Sequence, residues 1–180
     1  MRALFIVDLQ NDFCPGGALP TPKGDIIIPV INKIMDKFDF VLASKDWHPE
    51  NSVHFNKWPK HCIQGTYGAD FPARLNTDKI NKIFLKGTGD KDDGYSAFEA
   101  TNENLVDYLK KNNIDEFYVT GLTAEYCVKQ TVLDAIKYGF KTYVIKDGVE
   151  GIYQHEDDVE NAFKDMENAG AIIITSDNIS

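Results

Sequence analysis

Six short apolar runs, spaced through the chain by longer amphipathic stretches, constrain the fold more than any other feature of this sequence. They are Ala3 to Val7, Phe40 to Ala43, Ile83 to Leu85, Phe117 to Val119, Thr142 to Ile145 and Ile172 to Ile174. Each is continuous rather than alternating, the pattern of a strand buried on both faces of a parallel sheet. Helices are expected between them. Asp25 is placed to cap one that runs to about Phe38, with Pro29 near its start. Asn102 to Asn112 sets Leu105, Val106 and Leu109 on one face, and Ala124 to Tyr138 repeats through Val128, Val132 and Ala135 before Gly139 stops it. His155 to Asn168 completes the series, with Gly170 ahead of the last run. Strand and helix in alternation imply right-handed crossovers and a three-layer α/β sandwich.

No repeat, low-complexity tract or linker interrupts the pattern, so residues 1–180 are expected to form a single domain. A chain of this length buries roughly 70% of its unfolded surface, enough for its own core. The 28 acidic residues exceed the 19 basic ones, for a net charge of −9. A field of that sign repels phosphate backbones and anionic lipid, so neither nucleic acid nor a membrane is expected as a partner. Three scattered cysteines, Cys14, Cys62 and Cys127, do not make a disulfide framework and suit a reducing compartment. The first apolar run is too short for a signal peptide and ends on an acid. A soluble, cytoplasmic protein is the expectation.

In an open α/β sheet, ligands gather beyond the carboxyl ends of the strands. There the first four runs carry Asp8, the segment Lys45-Asp46-Trp47-His48, Lys86, and the segment Gly121-Leu122-Thr123-Ala124-Glu125-Tyr126-Cys127. With Thr123 as N-cap, Cys127 falls in the first turn of a helix, where the positive helix end favours a thiolate. Asp8 could take the thiol proton and return it to a leaving amine, with Lys86 holding both charges. A buried, inert cysteine and a structural Asp8–Lys86 ion pair are the alternatives. The long aromatic segment from Asp46 to Asp70 breaks the strand–helix rhythm, and loops of that length are usually functional. It contains His48, His54 and His61, which with Asp46 make a ligand set for zinc, iron or manganese.

These residues fall within ordered blocks that resemble bacterial and yeast nicotinamidases. Val7-Asp8-Leu9-Gln10-Asn11-Asp12-Phe13-Cys14-Pro15-Gly16-Gly17-Ala18-Leu19 is similar to their opening motif. Asp46-Trp47-His48-Pro49 and Trp58-Pro59-Lys60-His61-Cys62-Ile63-Gln64-Gly65-Thr66 resemble their metal-binding segments. Lys86-Gly87-Thr88, Tyr95-Ser96-Ala97-Phe98 and Gly121 to Val128 resemble the lysine, pocket and nucleophile segments. The resemblance covers residues 1 to about 150. It implies an isochorismatase-like hydrolase fold with a mostly parallel, six-stranded sheet of Rossmann-like type.

The resemblance further implies a catalytic triad of Asp8, Lys86 and Cys127. It implies one divalent ion, zinc as first choice with iron or manganese as alternatives, held by Asp46, His48 and His61. His54 matches a fourth ligand found in only some members. Phe13 and Trp58 match the aromatic pair that sandwiches a pyridine ring, and Tyr95 matches a pocket-lining position. The Leu122–Thr123 peptide occupies the place of the family's cis bond, so both residues fall at the substrate. The N–H groups of Thr123 and Cys127 correspond to its oxyanion hole. One departure stands out: the family usually has Ala before Thr here, where this chain has Thr123-Ala124. A backbone donor should tolerate the swap.

The activity implied is hydrolysis of nicotinamide to nicotinate and ammonia through a cysteine thioester, in NAD salvage, with the ring nitrogen on the metal. A sister amidohydrolase acting on ureido or carbamoyl compounds is the nearer rival. A non-catalytic binding domain is the farther one, disfavoured because Asp8, Lys86 and Cys127 are all present. A homo-oligomer is left open.

Overall fold

A computed structural model describes residues 1–180. The six apolar runs become β1 (Arg2–Val7), β2 (Phe40–Asp46), β3 (Lys82–Lys86), β4 (Glu116–Gly121), β5 (Lys141–Val149) and β6 (Ile172–Ile174). The helices between them are α1 (Ile27–Ile34), α2 (Leu105–Lys111), α3 (Lys129–Lys137) and α4 (Asp158–Ala169). The strands pair in the order β3-β2-β1-β4-β5-β6, and every pairing is parallel.

Alternate strand residues face opposite apolar layers. Phe5, Val7, Leu42, Phe84, Phe117 and Val119 pack with Leu105 and Leu109 of α2, Val132 and Ala135 of α3, and Phe163 and Met166 of α4. Leu4, Ile6, Val41, Ala43 and Ile145 pack on the other side with Ile27, Ile28, Ile31 and Ile34 of α1. A slip of one residue would exchange the two faces, so packing fixes the register. No helix is long and apolar enough to cross a membrane.

Helix starts differ from those predicted. The first helical stretch is split: 3₁₀ turns at Gly24–Ile26 and Met35–Lys37 flank α1, and Asp25 lies inside the first turn instead of capping. Pro29 falls in the first turn of α1, where no intrahelical N–H is required. α2 begins at Leu105 because Asn104 caps it, its side chain accepting from the Asp107 N–H at 2.9 Å. α4 begins at Asp158, three residues later than expected, and ends on Gly170 in the left-handed region at φ 117. The helix after β4 opens with a π-turn, Ala124–Val128, with Thr123 at its N-cap position as expected. π-turns inside α-helices are frequent at functional sites.

β1 pairs with both β2 and β4, so the chain leaves the centre of the sheet in opposite directions. A crevice opens at the carboxyl ends of β1 and β4, where such sheets bind ligands. Gly121 closes β4 at φ 114, and a Cβ there would lie 2.1 Å from the Val7 carbonyl oxygen. Only glycine lets the two strand ends come this close.

Candidate active site

The carboxyl ends of β1, β2 and β3 and the π-turn after β4 carry Asp8, Asp46, Lys86 and Cys127, all buried, to one point. Lys86 is the centre. Its ammonium lies 2.7 Å from Asp8 Oδ2 and donates to Asp46 Oδ1, to the Gly94 carbonyl at 2.5 Å and to Cys127 Sγ at 3.4 Å. Ser44 Oγ donates to Asp8 Oδ1 at 2.8 Å, while Asp8 Oδ2 is left without an aligned hydrogen bond. One oxygen each of Asp8 and Asp46 and the Cys127 sulfur lie within 4.8 Å of one another. Asp8 holds this position at φ 47, a conformation that costs an L-residue about 1–2 kcal/mol. Gln10 secures the neighbouring strand end: its amide accepts from the Asp46 N–H at 2.9 Å and donates to the Asp46 and Ala69 carbonyls at 2.8 and 2.9 Å.

Burial sets the charges. It pushes Asp8 up to about 6, against the pull of Lys86 and with the help of the Asp46 charge. Burial alone would raise Asp46 too, but Lys86, His48 and His61 outweigh it and hold that carboxyl well below its ordinary value. Burial likewise opposes the Lys86 charge, and the two carboxylates more than restore it. The Cys127 thiol is pushed well above its ordinary value by burial, with Lys86 pulling down and both carboxylates pushing up. The helix end favours the thiolate, and desolvation beside two carboxylates opposes it. An oxygen of Asp8 lies within 4.8 Å of the Cys127 sulfur, which makes Asp8 a nearby acceptor for its proton.

His48, His54 and His61 converge on the free side of Asp46. His48 Nδ1 faces the Gly87 carbonyl at 2.9 Å, His61 Nδ1 the Pro59 carbonyl at 2.6 Å and His54 Nδ1 the Asp92 carboxylate at 3.0 Å. Those partners only accept, so in the neutral form of each ring the proton sits on Nδ1 and Nε2 is free to act as a ligand. Nε2 of His48 and of His61 lie 3.5 and 3.7 Å from Asp46 Oδ2. His48 Nε2 is buried with no partner in the protein, and a ring nitrogen of each histidine falls within 4.8 Å of the others. Burial and the neighbouring His48 lower the His54 pKa, which favours its neutral form. A carboxylate oxygen and three imidazole nitrogens, convergent and with His48 Nε2 buried without a partner, fit a divalent first-row ion such as zinc.

Beside Cys127 lies a small pocket, whose empty space of about 370 Å³ includes the open solvent at its mouth. Phe13, Leu19, Trp58, Tyr95, Tyr126 and Ile152 form its walls, with Gly94, Thr123, Cys127, Asp46, His54 and His61 completing the lining. Trp58 donates its indole N–H to the Tyr95 hydroxyl at 3.1 Å and meets the Tyr126 ring edge-on at 5.0 Å. The Leu122–Thr123 peptide is cis. Tyr126 and Val128 both donate to the Thr123 carbonyl at 3.1 Å, whereas the Thr123 N–H has no backbone acceptor. The Cys127 N–H sits in the first helical turn, where intrahelical acceptors are lacking.

Leu122 turns its side chain into the layer under α1, away from the pocket lining, so its peptide bond with Thr123 is the part that faces the site. Leu19, Tyr126, Ile152 and Asp92 were not anticipated. Leu19 and Tyr126 lie inside segments already singled out, so adjacency was a usable signal. Ile152 had none. It reaches the pocket from the loop after β5, which Glu125 holds by accepting from the N–H groups of Ile152 at 3.1 Å and Tyr153 at 2.8 Å.

A buried thiol beside an acid and a lysine, next to a metal-binding cluster on a parallel α/β sheet, defines a metal-dependent cysteine amidohydrolase. Residues 2–178 match the model of the Isochorismatase domain, and the chain belongs to that family. It is 40% identical to a nicotinamidase of Escherichia coli over 97% of this chain and 94% of that one. A nicotinamidase/pyrazinamidase structure from Acinetobacter baumanii superposes with a TM-score of 0.92 at 38% identity, covering 99% of this chain and 98% of that one. A pyrazinamidase of Pyrococcus horikoshii in complex with zinc gives 0.87 at 42% identity, covering 97% and 98%.

Proposed function

We infer that this chain is a nicotinamidase, one domain over residues 1–180 that hydrolyses nicotinamide to nicotinate and ammonia in NAD salvage. The observation that carries this reading is Cys127 in contact with Lys86, which also pairs with Asp8, beside a small aromatic pocket edged by His54 and His61 of the histidine cluster. Phe13 and Trp58 are the walls proposed to hold the pyridine ring, with Tyr95 fixing the indole. Asp8 accepts the Cys127 proton, and the sulfur attacks the carboxamide carbon. The N–H groups of Thr123 and Cys127 receive the oxyanion, each such donor being worth about 3 kcal/mol in comparable sites. Asp8 then gives its proton to the departing ammonia, leaving nicotinoyl thioester on Cys127. Asp8 takes a proton from the incoming water, nicotinate leaves, and the thiol is restored. Lys86 keeps the charge on Asp8 and Asp46 compensated throughout.

Asp46, His48, His54 and His61 are the residues that would hold a zinc ion, which when bound supplies a Lewis acid at the pocket edge. All side chains in the scheme come from one chain, so it requires no second copy. The negative net charge supports a small neutral amide over nucleic acid as the partner.

The direct test is ammonia release from nicotinamide by reduced, zinc-replete protein. Prolonged chelation should remove the activity and zinc should restore it. Full activity in protein verified as metal-free would take the ion out of the reaction, and no release from replete protein would point to another small amide.

The acidity of Asp8 predicts a pH profile. Only the ionised carboxylate can accept the thiol proton, so kcat/KM should fall as pH drops through about 6. A profile that stays flat across about pH 5–8 would remove Asp8 as the base.

A further inference from the structure

Asp92 lies on the loop between β3 and α2, outside the motif blocks that carry the resemblance, yet it touches both halves of the site. Its Oδ1 accepts from His54 Nδ1 at 3.0 Å and from the Tyr95 hydroxyl at 2.9 Å. The same Tyr95 hydroxyl accepts the Trp58 indole N–H at 3.1 Å. The other oxygen, Oδ2, takes the exposed Lys57 ammonium at 2.6 Å. One carboxylate oxygen thus fixes the ring orientation of a metal-facing histidine and, through one hydroxyl, the indole of the pocket wall. Trp58 and His54 also lie near-parallel, 6.4 Å apart at 27°, so the two rings are neighbours as well as sharing an acceptor.

We propose that Asp92 is a positioning residue that couples the metal cluster to the substrate pocket by holding His54 and the Tyr95–Trp58 pair on a single acceptor oxygen. The proposal rests on the nicotinamidase reading for its substrate arm only. A ligating histidine whose outer nitrogen donates to a carboxylate is oriented and made more basic, and loss of such a partner commonly weakens metal binding ten- to a hundred-fold. Without the carboxylate, the Tyr95 hydroxyl also loses its acceptor and the indole its fixed partner.

Three variants and two readouts separate this from a merely structural role. Zinc affinity is measured by competition with a chromophoric chelator, and nicotinamide KM and kcat are measured at saturating zinc. Asp92→Ala should weaken zinc binding by about ten-fold or more and raise KM several-fold, with a smaller change in kcat. Asp92→Asn keeps an accepting oxygen and should recover most of both. Tyr95→Phe should raise KM and leave zinc affinity near that of the parent protein. Zinc affinity and KM both within about two-fold of the parent in Asp92→Ala, the change expected for a lost surface ion pair alone, would overturn the proposal. So would an Asn variant no better than Ala, or a Tyr95→Phe variant that loses zinc as Asp92→Ala does. If Asp92→Ala does not fold, the Asn and Phe variants still decide. Zinc competition needs no turnover, so a protein inert toward nicotinamide would refute the function and leave the metal arm readable.

Discussion

Cys127→Ala is expected to abolish ammonia release from nicotinamide, by at least about four orders of magnitude in kcat, while the protein stays folded. Removing the nucleophile of a covalent hydrolase leaves only the catalysis supplied by substrate binding and the oxyanion donors. The fold should hardly notice. Cys127 gives Lys86 only its longest contact, at 3.4 Å, and the two carboxylates and the Gly94 carbonyl remain. A stability change of no more than about 1 kcal/mol is expected. Parallel assays of ammonia release and thermal unfolding check both halves, and mass spectrometry of acid-quenched parent enzyme should reveal the acyl adduct that the variant cannot form. Substantial turnover by the variant would sink the thioester scheme.

Lys86→Met should cost both stability and activity. The side chain is fully buried and its ammonium is shared by Asp8 and Asp46, themselves buried. Methionine matches the length but leaves two carboxylates facing each other without a counter-charge. Breaking a buried ionic cluster from one side costs about 3–5 kcal/mol. The variant has one escape, which is to hold a proton between the carboxylates. Its folded state then binds a proton that the unfolded chain has released, so its stability falls as pH rises. The deficit relative to the parent should therefore shrink toward acid and widen toward alkali. A proton parked on Asp8 also removes the base, and activity should disappear at every pH where the protein is folded. Denaturant unfolding of zinc-replete protein across pH measures the effect, and Lys86→Met combined with Asp8→Asn should regain part of the lost stability. A single variant within about 1 kcal/mol of the parent would mean that the buried charges are not coupled as the geometry has them.

The strands and their reactive ends were legible because they depend on patterns that survive tertiary context. Continuous runs such as Phe117 to Val119 can be satisfied only by burial on both faces, and once the sheet is parallel, Asp8, Asp46 and Lys86 must share an edge. Helix starts were less legible because they hinge on single side chains. Asn104 takes the cap that Asn102 could equally have taken, and Asp25 is drawn into a 3₁₀ turn. Cys127 was half legible: the helix end that favours a thiolate is visible in sequence, but the desolvation by the whole fold that opposes it is not. Asp92 was invisible because it sits in a run of polar residues with no periodicity, where Asp90, Asp92 and Asp93 all read as solvated. Distance alone singles it out.

The placement of β1 has a kinetic meaning. Its residues pair with β2 on one side and with β4 on the other, so Val7 meets Gly121 across most of the first two-thirds of the chain. Such non-local pairings close large loops and form slowly. The cluster around Lys86 needs both closures, since Asp46 and Lys86 arrive from one side of β1 and Cys127 from the other. During refolding, recovery of turnover should therefore report completion of the central sheet. A nascent chain released before β4 carries the acid, the lysine and all the metal-facing histidines, but no nucleophile.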